Sequence, residues 1–231
     1  MAGAEPPGPA ALRVHLQALK ALRGTGHAQP PRLAELKAWQ SRRLAKTYAD
    51  LASQPRYRAA TEFFLDDLYG PKDFSARDEE LLRIVPVMAR VLPHSAVETA
   101  SLAVELEAVS EALDHALARA LAGGPITEES YAQAYRTSST REERMHQLDL
   151  IEAVGLRLDA LVAKPLVAGT LKLMRKPAHL AGLGDLQDFL ETGFEAFRTM
   201  KGSGAFLAVL RGRETEILNR LFSGASRPFS V

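Results

Sequence analysis

A histidine and two carboxylates fall on one line of a long predicted helix. His94, Glu98, Ser101 and Glu105 are separated by four, three and four residues, which places their side chains along one helix face. Imidazole and carboxylate groups gathered on one face could bind a metal ion or act in acid–base catalysis. The first hypothesis for a reactive site is therefore a metal centre that uses His94, Glu98 and Glu105.

The same carboxylates also have a structural interpretation. Glu98 follows Ser95 by three residues, which is the spacing of a capping box at a helix start. Arg83 and Arg90 lie one heptad apart on the preceding predicted helix. If the two helices fold back on each other, Arg90 comes near Glu98 and Arg83 near Glu105, so that the charges pair. We favour this structural interpretation over the metal centre.

A second pattern that could bind metal is the E-x-x-H step of Glu143 and His146. In ferritin-like di-iron bundles this step occurs on two helices, and two further helices each supply a glutamate. Here the step occurs once, and a solvated helix face is its favoured interpretation. In a metal centre, Glu62 and the pair of Glu143 and His146 would be possible partners of His94, Glu98 and Glu105.

Polar residues are dense around the turn at Gly70-Pro71. The candidates for ligand binding there are Asp66, Tyr69, Lys72 and Arg77, close in sequence to two phenylalanines. Loops on a rigid scaffold often carry binding residues. The alternative, which we favour, is that these side chains hold the turn through caps and ion pairs.

A basic segment without any acidic residue covers residues 161–184. Its candidate ligand-binding residues are Lys172, Arg175, Lys176 and His179. Such a segment could receive an anionic ligand, for example a phosphate or an acyl carboxylate, or it could contact a membrane surface. It could equally be a buried corner whose lysines extend to solvent.

The elements that must position these residues are helices. Apolar residues recur at spacings of three and four through most of the chain, no run alternates, and no internal repeat is present. We predict an all-α, single-domain bundle of about ten helices over residues 9–222. Residues 1–8 are expected to be disordered and residues 223–231 to form a loose tail. The long helix that follows Pro93 has apolar residues on more than one face and should be the most enclosed.

Two long strings suggest a family. The strings FFLDDLYGPKDFSARDEELLRIVPVMARVLP and LMRKPAHLAGLGDLQDFLETGFEAFRTM resemble those of an uncharacterised family of bacterial helical proteins, over most of the chain from about Arg56 onward. The resemblance implies a bacterial, intracellular, helical protein. It implies no activity, no cofactor and no catalytic residue.

Composition narrows the classes of function. The chain has 231 residues, a formal net charge of +1 and no cysteine, which argues against a dedicated nucleic-acid binder and excludes disulfides and thiolate sites. No secretory leader and no membrane-spanning stretch is present, so we expect a cytoplasmic protein. The P-loop, dinucleotide, H-E-x-x-H and G-x-S-x-G motifs are absent from the sequence.

These observations favour a non-catalytic cytoplasmic binding or interaction protein, with a homodimer as a natural assembly for exposed helical stripes. The alternative is a metal- or haem-dependent helical oxidase of ferritin-like or haem-oxygenase-like shape. A further alternative is a carrier of an anionic or acyl ligand through residues 161–184. The sequence specifies no cofactor and no particular partner.

Overall fold

The computed structural model describes residues 8–23, 29–68 and 75–230, and every regular element in these ranges is a helix. The all-α prediction is confirmed, with eleven α-helices where about ten were expected. A π-helical turn (Phe63–Leu68) follows the fourth helix. The helices are α1 (Pro9–Arg23), α2 (Leu33–Thr47), α3 (Ala49–Ser53), α4 (Arg58–Glu62), α5 (Ser75–Val91), α6 (His94–Ala120), α7 (Glu128–Ser138), α8 (Arg141–Val162), α9 (Pro165–Leu180), α10 (Gly184–Met200) and α11 (Gly204–Ser223).

The long helix α6 lies at the centre of the packing. It contacts α1, α2, α5, α7 and α8, as its apolar residues on more than one face predicted. Near its start Val97 and Val104 are buried against α1 and α5, and near its end Leu117 is buried against α2, α7 and α11. A helix that is apolar around most of its circumference is stable only when other helices enclose it.

A second part of the core joins α8, α10 and α11. Phe197 and Phe206 are 1% exposed and pack with residues of α3, α4 and α8. The helices α8 and α11 approach closely at Gly155, where an added Cβ atom would lie 2.5 Å from Leu207 Cδ2. Only a residue without a side chain fits this contact, because Leu207 is itself buried.

Helix starts follow the sequence in part. Thr140 and Glu143 form a capping box at the start of α8, with Thr140 N donating to Glu143 Oε2 at 2.7 Å. At α6 the predicted box of Ser95 and Glu98 does not form. Pro93 is the N-cap residue there and the helix begins at His94, so that Glu98 lies beyond the first turn, where no backbone N–H is free.

At the start of α10 the acceptor for a backbone N–H comes from another helix. The helix begins at Gly184 without a cap from its own segment. Instead, the carboxylate of Glu80 on α5 accepts a hydrogen bond from Leu186 N at 3.2 Å. A residue far away in the sequence, Glu80, thus caps the start of α10.

The two chain ends have different outcomes. Residues 1–7 lie outside the described residues, so the prediction for residues 1–8 is untested there. In the segment expected to form a loose tail, residues 223–227 are exposed, whereas Phe229 lies 5.6 Å from Trp39 and 5.7 Å from Tyr131, measured between ring centroids. A lone aromatic ring after a helix gives no periodic signal, although its burial against other rings is favourable.

Candidate functional site

The most exposed apolar residues of the described chain lie on α9. Leu166, Leu173 and Leu180 are 85%, 77% and 89% exposed and are seven residues apart. Residues at this spacing drift by only about 20° per step around a helix. The three leucines therefore form one apolar line directed away from the protein, which we call the α9 outer face.

The opposite side of α9 is held to α10 by polar contacts. Arg175 Nε donates to Glu191 Oε1 at 2.9 Å, and His179 Nε2 lies 3.1 Å from Asp188 Oδ1. Gln187 Nε2 donates to the carbonyl oxygen of residue 171 at 2.8 Å. Ala178 is the one fully buried residue among the helix side chains. This helix thus directs Leu166, Leu173 and Leu180 to solvent, while its inner side combines these polar contacts with half-buried apolar residues such as Leu171.

Local sequence explains the position of this helix. Pro165 occupies the first turn, where its missing N–H costs no hydrogen bond. At the other end Gly182 adopts φ +70°, and Leu183 N donates to Ala178 O at 2.9 Å while Gly182 N donates to His179 O at 3.1 Å. This pattern is a Schellman motif, which ends the helix sharply and directs the chain into α10.

The charges on α9 are all basic. Arg175 and His179 face carboxylates of α10, and the hydrogen bond from Arg175 lowers the pKa of Glu191. Lys172 and Lys176 are exposed, and among the described residues neither makes an ion pair with a carboxylate. Both lysines project on the same side of the leucine line, because they are four residues apart. The basic side chains of the predicted segment therefore lie at the surface, and Lys172 and Lys176 have no carboxylate partner among the described residues.

The residues predicted as a metal centre do not converge. His94 Nδ1 lies 3.1 Å from Glu98 Oε1, and Arg157 Nη1 donates to Glu98 Oε2 at 2.9 Å. Glu105 lies elsewhere, between His15 at 3.7 Å and His146 at 3.9 Å. Within the part of the chain that the structure describes, no group of three or more potential ligands could hold a metal ion.

The expected ion pairs between α5 and α6 also differ from the prediction. Arg83 Nη2 donates to the carbonyl oxygen of Gly182 at 3.2 Å instead of pairing with Glu105. The reason is that α1 packs against both α5 and α6, so that His15 of α1 reaches Glu105. Glu98 pairs with Arg157 of α8 rather than with Arg90. The prediction that Glu98 forms an ion pair with an arginine of another helix is confirmed, but Arg90 was the wrong partner.

The other candidate residues are either placed apart from one another or lie outside the described residues. Glu143 is used in the capping box of α8, and Glu62 is exposed at the end of α4. Tyr69 and Lys72 lie outside the described residues, as do the side chains of Asp66 and Arg77, so the predicted site at the Gly70-Pro71 turn is untested.

Sequence reasoning missed a set of charged side chains in the interior. Glu214 of α11 accepts hydrogen bonds from Arg43 Nη1 at 2.6 Å and from Tyr48 Oη at 2.8 Å. Burial and the neighbouring Glu214 carboxylate raise the pKa of Tyr48. Arg43 lies in α2, Tyr48 directly after its end and Glu214 in α11, so no spacing along one helix could have indicated their contact.

A second interior carboxylate is Glu111 of α6. Its side chain is 5% exposed and pairs with Lys37 at 2.8 Å and with Arg23 at 3.0 Å. Burial alone would raise the pKa of Glu111, but the two cations outweigh it and the pKa is lowered. His115 lies 3.3 Å from the same carboxylate, and burial lowers its pKa. These contacts join α1, α2 and α6, and they give each buried charge a partner.

An open depression of about 520 Å³ lies between α1 and α5, lined by Lys20, Glu79, Glu80, Leu82 and Arg83. Lys20 faces Glu79 at 3.7 Å, and Glu80 is bonded to the start of α10. Its charges therefore balance one another. None of the basic residues of α9 predicted to bind a ligand lines it.

The comparisons add a family without adding a function. No helix in the described part of the chain is both long and apolar enough to span a bilayer. Neither the curated proteins nor the solved structures gave a match. A family model described as "Domain of unknown function (DUF8198)" matches residues 20–228. This match covers more of the chain than the sequence resemblance, which begins at about Arg56. The chain therefore belongs to the DUF8198 family.

Proposed function

We propose that this chain is a non-catalytic bacterial interaction protein of the cytoplasm that docks through the α9 outer face. The observation that carries the proposal is the line formed by Leu166, Leu173 and Leu180, each more than three-quarters exposed. Single exposed leucines are common on protein surfaces, whereas an aligned set marks a surface that another body covers.

The way α9 is attached supports the same conclusion. Ordinary surface helices bury their apolar side and expose their polar side. Here the inner side of the helix holds the half-buried Leu171 and the polar contacts of Arg175 and His179 with α10, while Leu166, Leu173 and Leu180 stay in solvent. Three aligned leucines that remain exposed in the folded protein do not stabilise the fold by burial, and we expect them to serve in binding.

The two alternative functions have less support. The oxidase hypothesis relied on His94, Glu98 and Glu105, whose side chains are used in separate pairs. The carrier hypothesis relied on Lys172 and Lys176, which lie on an outer surface rather than in an enclosed cavity. Among the residues that the structure describes, the candidates of neither hypothesis converge on one point, as its chemistry requires.

The test uses the absence of native cysteine. One variant carries Leu173→Cys on the α9 outer face, and a control carries Gln133→Cys on the exposed side of α7. Both are labelled with a membrane-permeant maleimide, first as purified dilute protein and then in intact cells that express the chain from its own gene. We expect residue 173 to be protected in cells relative to residue 133. Equal relative labelling in both settings would contradict the proposal.

A further inference from the structure

We propose that the α9 outer face docks on an anionic phospholipid surface, with α9 lying flat in the headgroup region. This inference rests on the proposed function, since it names the partner of the same face. Three properties of the helix carry it: the sign of its charge, the shape of its apolar line, and the way it is fixed to the rest of the molecule.

The charge of α9 selects an anionic partner. The helix contains Lys172, Arg175 and Lys176 and no acidic residue, although the whole chain carries a net charge of only +1. Arg175 is paired with Glu191, which leaves the two lysines beside the leucines for an outside partner. Basic residues next to the apolar side of a helix are attracted to the negative surface of anionic membranes.

The apolar line has the shape that a lipid surface needs. From Leu166 to Leu180 it runs for about 21 Å along the helix. An interfacial helix inserts its apolar side chains only as far as the boundary between headgroups and acyl chains. Leucines that point straight outward from a helix on the protein surface can reach that boundary without any unfolding of α9.

The same line fits a second helix poorly. A coiled-coil seam needs apolar side chains at two positions in every heptad. The intermediate positions of α9 are Gly169 and Thr170 in one turn and Lys176 and Pro177 in the next, so every second apolar side chain is missing. A fluid lipid surface requires no such interlocking of side chains.

Self-association through α9 is also disfavoured by charge. In an antiparallel pair of identical helices, the edge that carries Lys172 and Lys176 would face the same edge of the other copy. Like charges brought together in this way oppose association. An anionic surface instead neutralises both lysines at once.

The contacts with α10 fix the orientation. Arg175, His179 and Gln187 hold the helix from the protein side, so the leucines cannot rotate inward without the loss of these bonds. The bound arrangement is thus already present in the free protein, which reduces the ordering cost of docking.

The experiment measures binding of the full chain to two kinds of vesicle, phosphatidylcholine alone and an equal mixture of phosphatidylcholine and phosphatidylglycerol. Flotation or co-sedimentation gives the bound fraction at low and high salt. We expect binding to the mixed vesicles, weak binding to the neutral vesicles, and a loss of binding as salt screens the lysines.

Two variants separate the apolar and the electrostatic contributions. Leu166→Ala with Leu173→Ala and Leu180→Ala keeps a strong helix former at each position, and we expect affinity for the mixed vesicles to fall by about a hundredfold or more. Lys172→Gln with Lys176→Gln is expected to lower affinity by about tenfold or more. The matched control, Lys46→Gln with Arg119→Gln, removes the same charge from exposed sites on α2 and α6 and should bind as the unmodified chain does.

Other outcomes would overturn the inference, and each has a distinct meaning. Binding lost equally in the control variant would mean a general charge effect. Absence of vesicle binding, with self-association that the leucine variant abolishes, would assign the face to a second copy. Absence of both, with residue 173 still protected in cells, would assign it to an acidic protein partner. In these last two cases docking through α9 stands, whereas a lack of protection in cells removes the docking function itself.

Discussion

Helices α11 and α9 use leucine in opposite ways. In α11 the large apolar side chains point inward: Phe206, Leu218 and Leu221 are each at most 2% exposed. In α9 the leucines of the outer face, Leu166, Leu173 and Leu180, are at least 77% exposed, Leu171 is half-buried, and the single buried residue is Ala178. The two helices have similar apolar content, so the difference lies in which side of each helix meets the rest of the molecule.

Polar groups follow the reverse arrangement. In α11 the carboxylate of Glu214 enters the interior, where Arg43 and Tyr48 satisfy it. In α9 polar groups such as Arg175 hold the helix to its neighbour at the surface. Helix α11 is therefore part of the stable core, whereas α9 is attached at the surface, and we expect substitutions in α9 to have little effect on folding.

The largest expected difference comes from paired truncations in the two helices. Phe206→Ala removes a ring that packs against Tyr57 and Phe64, and we expect it to lower the free energy of unfolding by about 4 kcal/mol. Leu173→Ala should change it by less than about 0.5 kcal/mol. Urea unfolding measures both values. Similar losses in the two variants would show that the leucines of α9 are packed in the free protein.

A buried charge gives the next largest effect. Glu214→Ala leaves Arg43 in the interior without its carboxylate, since both side chains are only 14% exposed. We expect a loss of about 3 kcal/mol, because an unpaired buried charge is strongly destabilising. Urea unfolding of Glu214→Ala and of Arg43→Met with Glu214→Leu checks this. The double variant should regain part of the loss, and a double variant as unstable as the single one would contradict the explanation.

The pH dependence of stability tests a buried carboxylate outside both helices. The pKa of Glu111 is lowered in the folded protein because Lys37 and Arg23 outweigh the effect of burial. A carboxyl group with a lowered pKa stabilises the fold above its unfolded pKa and loses this contribution as the pH falls through the folded pKa.

For Glu111→Gln we therefore expect a loss of about 2 kcal/mol at neutral pH. The difference from the unmodified chain should shrink below about pH 4, the usual range of a glutamate. Urea unfolding across this pH range measures it. A constant difference at all pH values would show that charge at this position does not matter to folding.

The smallest change in global stability should come from the surface pair that attaches α9. Glu191→Ala removes the partner of Arg175 and one acceptor of Gln187. We expect unchanged global unfolding and faster hydrogen exchange of backbone amides in α9 alone, because local opening depends on the local contacts. Exchange measured by mass spectrometry gives both. Unchanged exchange in α9, or faster exchange that extends into α11, would contradict the separation of the two helices.

Local signals in the sequence predicted the helices well. Apolar residues at spacings of three and four predicted about ten helices, and the described ranges contain eleven α-helices. The packing partners were not predictable in this way. Insertion of α1 between α5 and α6 redirected Glu105 to His15 and left Arg83 to bond with Gly182.

The candidate surface was predicted in part. The basic character of residues 161–184 was evident in the sequence, but both a buried corner and an exposed surface were consistent with it. The choice depended on α10, whose Glu191 and Asp188 bind one side of α9 and thereby turn the leucines outward. Such a decision is made by tertiary contacts, which the period of a helix cannot encode.

The outward orientation of the α9 leucines is tested most directly by NMR, which measures the solvent accessibility of leucine methyl groups with a soluble gadolinium chelate as the relaxation agent. In dilute free protein we predict strong broadening at Leu166, Leu173 and Leu180 and little at Leu218 and Leu221. Addition of vesicles that contain phosphatidylglycerol should protect the α9 methyl groups and leave those of α11 unchanged. If the α9 methyl groups are as protected as those of α11 before any vesicle is added, the leucines are already covered in the free protein, and the account is contradicted.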